Sequence, residues 1–188
     1  MIHTLTQKLA FLFVVLSGML ASAFTFSDPA ATAPAEQINW LTFEEAMALN
    51  QKNPKKVFLD VYTDWCGWCK RMDQTTFSDP EVVKYMNENF YAVKFDAEGK
   101  DPIQFKGQTF KFVPSGRNGY HELAAALLNG KLSFPTTVYL DEEMNLIQPV
   151  PGYMKAPEFL KVLSYFGSDH FKDTPWEKYE KSYTVPTP

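Results

Sequence analysis

The apolar residues of this chain follow two patterns, short continuous runs and runs at helical spacing. The continuous runs predict strands buried on both faces of a sheet. They lie at residues 57–62, 90–96 and 136–141, with a further short strand near Leu146. Around them, apolar residues recur every three or four positions, which predicts amphipathic helices. The resulting order, strand–helix–strand–helix–strand–strand–helix, predicts one α/β domain with a central mixed sheet flanked by helices.

Capping residues predict where two of the helices begin. Thr42 is followed three positions later by Glu45, the spacing of a capping box. Ser78 and Glu81 have the same spacing around Pro80, so we expect Ser78 to be the N-cap of the next helix.

Residues 97–119 have no clear place in this order and are predicted to be an insertion. They are polar and carry glycines, and Phe105 and Phe110 on either side of Gly107 predict a small hairpin, extended to Phe112. A helix is expected directly afterwards, over residues 120–129.

The first residues have the features of a secretory signal peptide. Lys8 precedes an apolar stretch that ends at the small residues 21–23, which predicts a signal peptide over residues 1–23. The stretch is shorter than the roughly 20 residues of a bilayer span, so a cleaved leader is favoured over a membrane anchor. The protein is therefore expected to be exported to the periplasm.

The remainder divides into three segments. Residues 24–36 are rich in Ala, Pro, Ser and Thr and are expected to be a flexible linker. Residues 37–170 form the predicted folded domain, and residues 171–188 a C-terminal helical extension and tail. No dimerisation segment is visible, so a monomer is expected.

Composition limits the classes of partner. Hydrophobic residues make up 45% of the chain and charged residues 21%, as in an ordinary packed domain. The net charge is -4, and no basic run is interleaved with aromatic residues. Nucleic-acid binding is therefore not expected.

The chemistry is concentrated in two cysteines, Cys66 and Cys69. Cys66 stands where a buried strand ends and a helix is expected to begin, and a helix N-terminus favours a thiolate over a neutral thiol. Cys69 lies one helical turn further on, close enough to attack a mixed disulfide at Cys66. We therefore expect Cys66 to be the exposed attacking thiol and Cys69 the buried resolving thiol.

Two other interpretations of the cysteine pair are weaker. A zinc site needs further Cys or His ligands, and the histidines have no paired spacing, so neither a metal nor another cofactor is expected. A purely structural disulfide across one turn closes almost no loop and contributes little stability.

The segment VFLDVYTDWCGWCK, residues 57–70, resembles the active-site segment of thioredoxins. The later segments TFSDPEVVKYM and PGYMKAPEF resemble the C-terminal thioredoxin-like domain of the transmembrane reductant carrier DsbD. The resemblance covers about residues 38–166 and implies a thioredoxin fold, with 97–119 inserted before the strand that begins with a cis-proline.

The resemblance also implies roles for four further residues. Asp60 matches the buried acid that helps deprotonate the resolving cysteine, and Lys94 matches the lysine that tunes it; the alternatives are a solvated strand-end charge and a surface lysine. Pro135 matches the cis-proline opposite the cysteines, and Phe134 precedes it, where backbone groups face an extended substrate. An ordinary trans peptide bond is the alternative there.

Partner binding is assigned to residues around the cysteines, namely three aromatic residues, the glycine of the motif and the proline opposite it. These residues are Trp65, Gly67, Trp68, Phe134 and Pro135. The resulting hypothesis is an exported thiol–disulfide oxidoreductase that reduces disulfide-containing proteins and receives electrons from a thiol donor, such as a membrane reductant carrier. A non-catalytic binding module and a disulfide oxidase or isomerase are the alternatives.

Overall fold

The structure is a computed structural model that describes residues 36–116 and 118–184. The predicted leader, and the predicted linker apart from Glu36, lie outside the described residues. The strands are β1 (Trp40–Leu41), β2 (Val57–Tyr62), β3 (Tyr91–Asp96), β4 (Ile103–Phe105), β5 (Gln108–Phe110), β6 (Phe112–Val113), β7 (Tyr120–His121), β8 (Thr136–Leu140) and β9 (Leu146–Pro151). The helices are α1 (Phe43–Lys52), α2 (Gly67–Thr75), α3 (Pro80–Asn89), α4 (Glu122–Leu127), α5 (Ala156–Gly167), α6 (His170–Asp173) and α7 (Trp176–Ser182).

The central sheet has the strand order β1-β3-β2-β8-β9. β1 and β2 each pair with β3 in parallel, whereas β8 pairs antiparallel with β2 and β9 antiparallel with β8. The sheet is therefore mixed and flanked by helices, which confirms the predicted α/β fold class. The short edge strand β1 was not predicted, because two residues carry too little of the alternating pattern to be recognised.

Two hydrophobic clusters cover the two faces of this sheet. Alternation along β2 sends Phe58 to the cluster that contains Met72 of α2, and sends Leu59 and Val61 to the opposite cluster. Asp60 has the same parity as Phe58, so its side chain lies on the face that α2 covers. This arrangement positions a buried carboxylate beneath the helix that carries the cysteines.

The capping box predicted for α1 is present, but the one predicted for α3 is wrong. Asp79, and not Ser78, is the N-cap of α3, and its carboxylate accepts hydrogen bonds from the backbone N–H groups of Glu81 and Val82. Pro80 is the first residue of the helix and thus makes the residue before it the cap. The hydroxyl of Ser78 instead donates to the carbonyl of Gln74.

Because Asp79 caps α3, Asp79→Ala is expected to destabilise the protein by about 1 kcal/mol, as two N–H groups of α3 lose their acceptor. Ser78→Ala is the matched control and is expected to cost less than about 0.5 kcal/mol, as exposed substitutions usually do. Urea unfolding of both variants measures the difference. Equal losses of stability would show that the cap is shared between the two residues.

The insertion, residues 97–119, contains the predicted hairpin and β6, which is one strand of a second pair. β4 and β5 pair around Lys106 and Gly107, as expected from the two phenylalanines. Phe112 does not extend this hairpin, because β6 pairs instead with β7.

The helix predicted over 120–129 is shorter than expected because its first residues belong to β7. The backbone N–H of His121 donates to the carbonyl of Ala97, and its ring Nδ1 accepts from the N–H of Leu123 and so caps α4. Gly119, with φ at +97°, makes the turn into β7, and a Cβ there would lie 2.4 Å from the ring of Phe112. The chain therefore leaves the insertion at the turn of Gly119 and re-enters the core at His121, which is buried.

The C-terminal extension packs on α5 through aromatic side chains. The ring of Tyr165 lies 5.2 Å from that of Trp176 and 5.0 Å from that of Tyr179, which is buried. Among the residues that the structure describes, none of the helices has both the length and the apolar character of a membrane span.

Candidate active site

The cysteine pair lies at the start of α2, just beyond the carboxyl end of β2. Cys66 is the N-cap of α2, and its Sγ accepts a hydrogen bond from the backbone N–H of Cys69 at 3.0 Å. The two cysteines form a disulfide, with their Cα atoms 5.3 Å apart. The helix dipole and this N–H group both favour negative charge on the Cys66 sulfur.

The expected contrast in exposure between the two cysteines is small in this disulfide form. Cys66 is 5% exposed and Cys69 is 2% exposed. Cys66 is buried because its sulfur is bonded to Cys69 and also caps the helix. The two tryptophans of the motif are instead well exposed, Trp65 at 60% and Trp68 at 63%.

Two aromatic contacts flank the cysteines. Trp65 lies edge-on to Phe134 with ring centres 5.9 Å apart, and Trp68 lies 5.3 Å from Tyr153. The Phe134–Pro135 peptide bond is cis, as the resemblance implied. A cavity of about 240 Å³, the Pro135 groove, is lined by Trp68, Phe134, Pro135, Gly152 and Tyr153.

Tyr153 is a residue of this groove that the sequence analysis did not assign. Its hydroxyl lies 3.2 Å from that of Thr75 on α2, so a hydrogen bond connects the segment after β9 to the helix that carries the cysteines. Gly67 has open space around it: a Cβ there would meet no atom within 4 Å. With no side chain at Gly67, the surface between Trp65 and Trp68 stays open.

Asp60 and Lys94 occupy facing positions of the parallel strands β2 and β3. The Nζ of Lys94 donates a hydrogen bond to Oδ2 of Asp60 at 2.6 Å. Asp60 is fully buried, and this burial raises its pKa to about 6, although Lys94 pulls it in the opposite direction. The carboxyl group therefore changes its protonation state close to neutral pH.

Lys94 has a second carboxylate partner, Asp73 of α2, which the sequence analysis missed. Burial lowers the pKa of Lys94, but Asp60 and Asp73 outweigh it and raise that pKa overall. Asp73 stands four residues after Cys69, on the same side of the helix, and this spacing is the signal that could have found it.

Aromatic rings surround the same ammonium group. The Nζ of Lys94 lies 4.8 Å from the ring centre of Trp40, 5.3 Å from that of Tyr62 and 5.2 Å from that of Phe77. Lys94 is one-quarter exposed and bound by Asp60 and Asp73, and cation–π attraction from these rings adds to that binding.

One oxygen of the Asp60 carboxylate is available for chemistry. Within the described residues, Oδ1 of Asp60 and Oγ1 of Thr63 are buried without a hydrogen-bond partner. Oδ2 is hydrogen-bonded to Lys94, so the two oxygens of this carboxylate have different surroundings.

The sequence of the folded part matches a family of known proteins. A family model for the thioredoxin-like domain matches residues 43–167. The chain belongs to the thioredoxin-like domain family. The resemblance inferred from the motifs is thereby confirmed, and the paired cysteines are those of a family of thiol:disulfide oxidoreductases.

Individual relatives agree with this assignment. Thiol:disulfide interchange protein DsbD from Pectobacterium atrosepticum is 32% identical over 164 residues, which are 81% of this chain and 25% of that protein. DsbD from Yersinia enterocolitica is 28% identical over 165 residues, again 25% of its length. This chain spans a quarter or less of the length of the curated relatives it matches.

A solved structure shows the same fold. Thioredoxin from Thermus thermophilus superposes with a TM-score of 0.52 at 22% identity, over 71% of this chain and 93% of that one. At this identity the similarity shows the thioredoxin fold alone, and it agrees with the strand order described above.

Proposed function

We propose that this member of the thioredoxin-like family is an exported enzyme that reduces disulfides in partner polypeptides. The observation that carries the proposal is the placement of Cys66, whose sulfur caps α2 and accepts the N–H of Cys69. A sulfur in this position is a stabilised thiolate after reduction, which is the nucleophile of thiol–disulfide exchange.

The reaction proceeds in two exchanges. The Cys66 thiolate attacks one sulfur of the partner disulfide, forms a mixed disulfide and releases the other partner sulfur as a thiolate, which takes up a proton. Cys69 then loses its proton and attacks Cys66 Sγ, which closes the Cys66–Cys69 disulfide and releases the second partner sulfur as a thiolate that takes up a proton. The partner gains two electrons and two protons. The enzyme loses two electrons and one proton, that of Cys69, because Cys66 begins as a thiolate; the second proton comes from solvent.

Asp60 accepts the proton of Cys69 in this scheme. The support is its position on the face of the sheet that α2 covers, its free Oδ1 and a pKa near 6. A carboxylate with such a pKa is ionised at neutral pH and still basic enough to take a proton. Lys94, held by Asp73 and by the surrounding rings, steadies the ionised form.

The partner polypeptide binds along the Pro135 groove. Phe134 precedes the cis-proline and lies outside β8, so its backbone groups are not part of the sheet ladder and can pair with an extended chain. Trp65 and Trp68 are exposed on either side of the cysteines and provide apolar surface for docking, while Gly67 leaves the approach to Cys66 open.

The direction of electron flow is proposed to be reductive. A strong oxidant owes its potential to a highly stabilised reduced form, often with a basic residue between the cysteines, and here Gly67 and Trp68 carry no charge. The disulfide that forms must then be reduced again by a dithiol donor. Similarity to DsbD and the predicted leader favour a membrane reductant carrier as that donor and the periplasm as the compartment.

The test is the equilibrium reduction potential of the Cys66–Cys69 couple, measured in defined dithiothreitol buffers. We expect a value near the roughly -270 mV of thioredoxin. A value near the roughly -120 mV of strong oxidants would reverse the proposed direction and make the protein a disulfide donor. Cys69→Ser provides the baseline, since it cannot form the internal disulfide.

A further inference from the structure

The insertion forms a second cavity next to the cysteines. This cavity, the Trp65 cleft, has a volume of about 430 Å³, and its walls include Trp65, Phe134, Leu132, Tyr120, Glu98 and Asn118. Oε1 of Glu98 accepts hydrogen bonds from Nε1 of Trp65 at 2.8 Å and from Nδ2 of Asn118 at 3.1 Å. A residue of the insertion thus joins the active-site tryptophan to the far wall of the cleft.

Phe134 lines both cavities near the cysteines. On one side it borders the Pro135 groove, with Trp68 and Tyr153, and on the other side it borders the Trp65 cleft. A polypeptide that binds beside Pro135 and reacts at Cys66 therefore brings its neighbouring side chains to the Trp65 cleft. The cleft is large enough to accept one long side chain.

The chemistry of the cleft suits a cationic side chain. Its aromatic faces attract cations, and a planar guanidinium stacks on such faces better than an ammonium group does. Oε1 of Glu98 accepts hydrogen bonds from Trp65 and Asn118, and these two contacts hold the carboxylate at the cleft. A carboxylate held in this position can pair with a cationic side chain that enters the cleft.

Further carboxylates strengthen the negative potential at this end of the molecule. Asp96 ends β3, and burial together with the nearby charges of Asp64 and Glu98 raises its pKa. Asp64 directly precedes Trp65 and is exposed. The net charge of the whole chain has the same sign, so a basic partner is attracted both at a distance and at the cleft.

We propose that the Trp65 cleft binds a basic side chain, arginine above all, next to the reacting cysteine of the partner polypeptide. The proposal rests on the proposed function, because it selects among substrates of the same reaction. The insertion is thereby a specificity element of the enzyme, since it supplies Glu98, Asn118 and one wall of the cleft.

The experiment compares short peptides that carry one cysteine in a mixed disulfide with thionitrobenzoate. The residues on both sides of that cysteine are arginine, leucine or glutamate. The rate of thionitrobenzoate release by the reduced full-length protein is divided by the rate with dithiothreitol, which removes the intrinsic reactivity of each peptide. We expect the arginine peptide to react about tenfold faster than the glutamate peptide, with a preference that falls at high salt.

Two glutamate variants test the assignment to the cleft. Glu98→Gln keeps an acceptor for Trp65 Nε1–H but removes the charge, and we expect the arginine preference to fall to about twofold or less. Glu88→Gln makes the same charge change near Lys55, at the amino end of β2, and should leave the preference as it is.

The outcomes separate this inference from the proposed function. If no peptide is reduced, the proposed function fails. If all three are reduced equally, or the leucine peptide is fastest, the protein is a reductase and the cleft takes no basic side chain. A preference that survives Glu98→Gln would also overturn the assignment to this cleft.

Discussion

Replacing Cys66 with serine is expected to abolish disulfide reduction, whereas replacing Cys69 with serine leaves a protein that captures its partners covalently. Cys66 supplies the thiolate at the N-terminus of α2, and without it the first exchange has no nucleophile. We expect the rate to fall at least about a thousandfold, as is usual when a nucleophile is removed. Cys69→Ser still permits the first exchange but cannot release the partner.

Non-reducing electrophoresis followed by mass spectrometry measures this difference. With Cys69→Ser, partner polypeptides are expected as disulfide adducts at Cys66 that disappear on addition of dithiothreitol. The double variant, with serine at both positions, is the control and should capture nothing. A protein whose biological activity survives in both single variants would be a binding module that does not use its cysteines.

Much of the fold could be predicted because it depends on local pattern. The run at 57–62 contains a single charged residue and continuous apolar neighbours, so it is recognisable as a buried strand without any tertiary information. Thr42 and Glu45 form their capping box within one turn of helix, and the box is present as predicted. The capping prediction at α3 was wrong by one residue: Pro80 is the first residue of the helix, so Asp79 and not Ser78 is the N-cap.

The parts of the site that could not be predicted depend on contacts between distant segments. Asp73 and Trp40 meet Lys94 only because α2 crosses the face on which β1 and β3 lie side by side. Tyr153 contacts Trp68 from the segment that follows β9. The strand pair β6–β7 consists of two residues on each side, too short for a periodic signal, so the path of the insertion back to Trp65 is visible only in the structure.

Asp60→Asn is expected to make the protein more stable and less active, and the two effects should share one pH dependence. The pKa of Asp60 is about 6 in the folded protein and 3.8 in its ordinary state. The folded protein therefore binds this proton more tightly than the unfolded chain does, so the protonated group favours folding. This contribution is complete below about pH 4 and is lost as the pH rises through 6.

The size of the stability change follows from the difference between the two pKa values. About two pKa units correspond to about 3 kcal/mol, which is the cost of keeping a buried carboxylate ionised above pH 7. Asparagine stays neutral at every pH, so the variant avoids this cost. In urea unfolding at pH 8, the free energy of unfolding of Asp60→Asn is expected to exceed that of the parent protein by up to about 3 kcal/mol. This difference should vanish near pH 4. Asp173→Asn, an exposed position, should give no such trend.

The activity of the same variant follows from the proton that Asp60 accepts. At pH 7 the parent carboxylate is mostly ionised, and the amide of the variant cannot take the proton of Cys69, so we expect disulfide reduction about a hundredfold slower. The parent rate should rise through an inflection near pH 6 that the variant lacks. At neutral pH the ionised Asp60 lowers the stability of the fold and can accept the proton of Cys69. Its presence in a buried strand is therefore explained by the reaction and not by folding. A variant as active as its parent, or no more stable at pH 8, would contradict this role for Asp60.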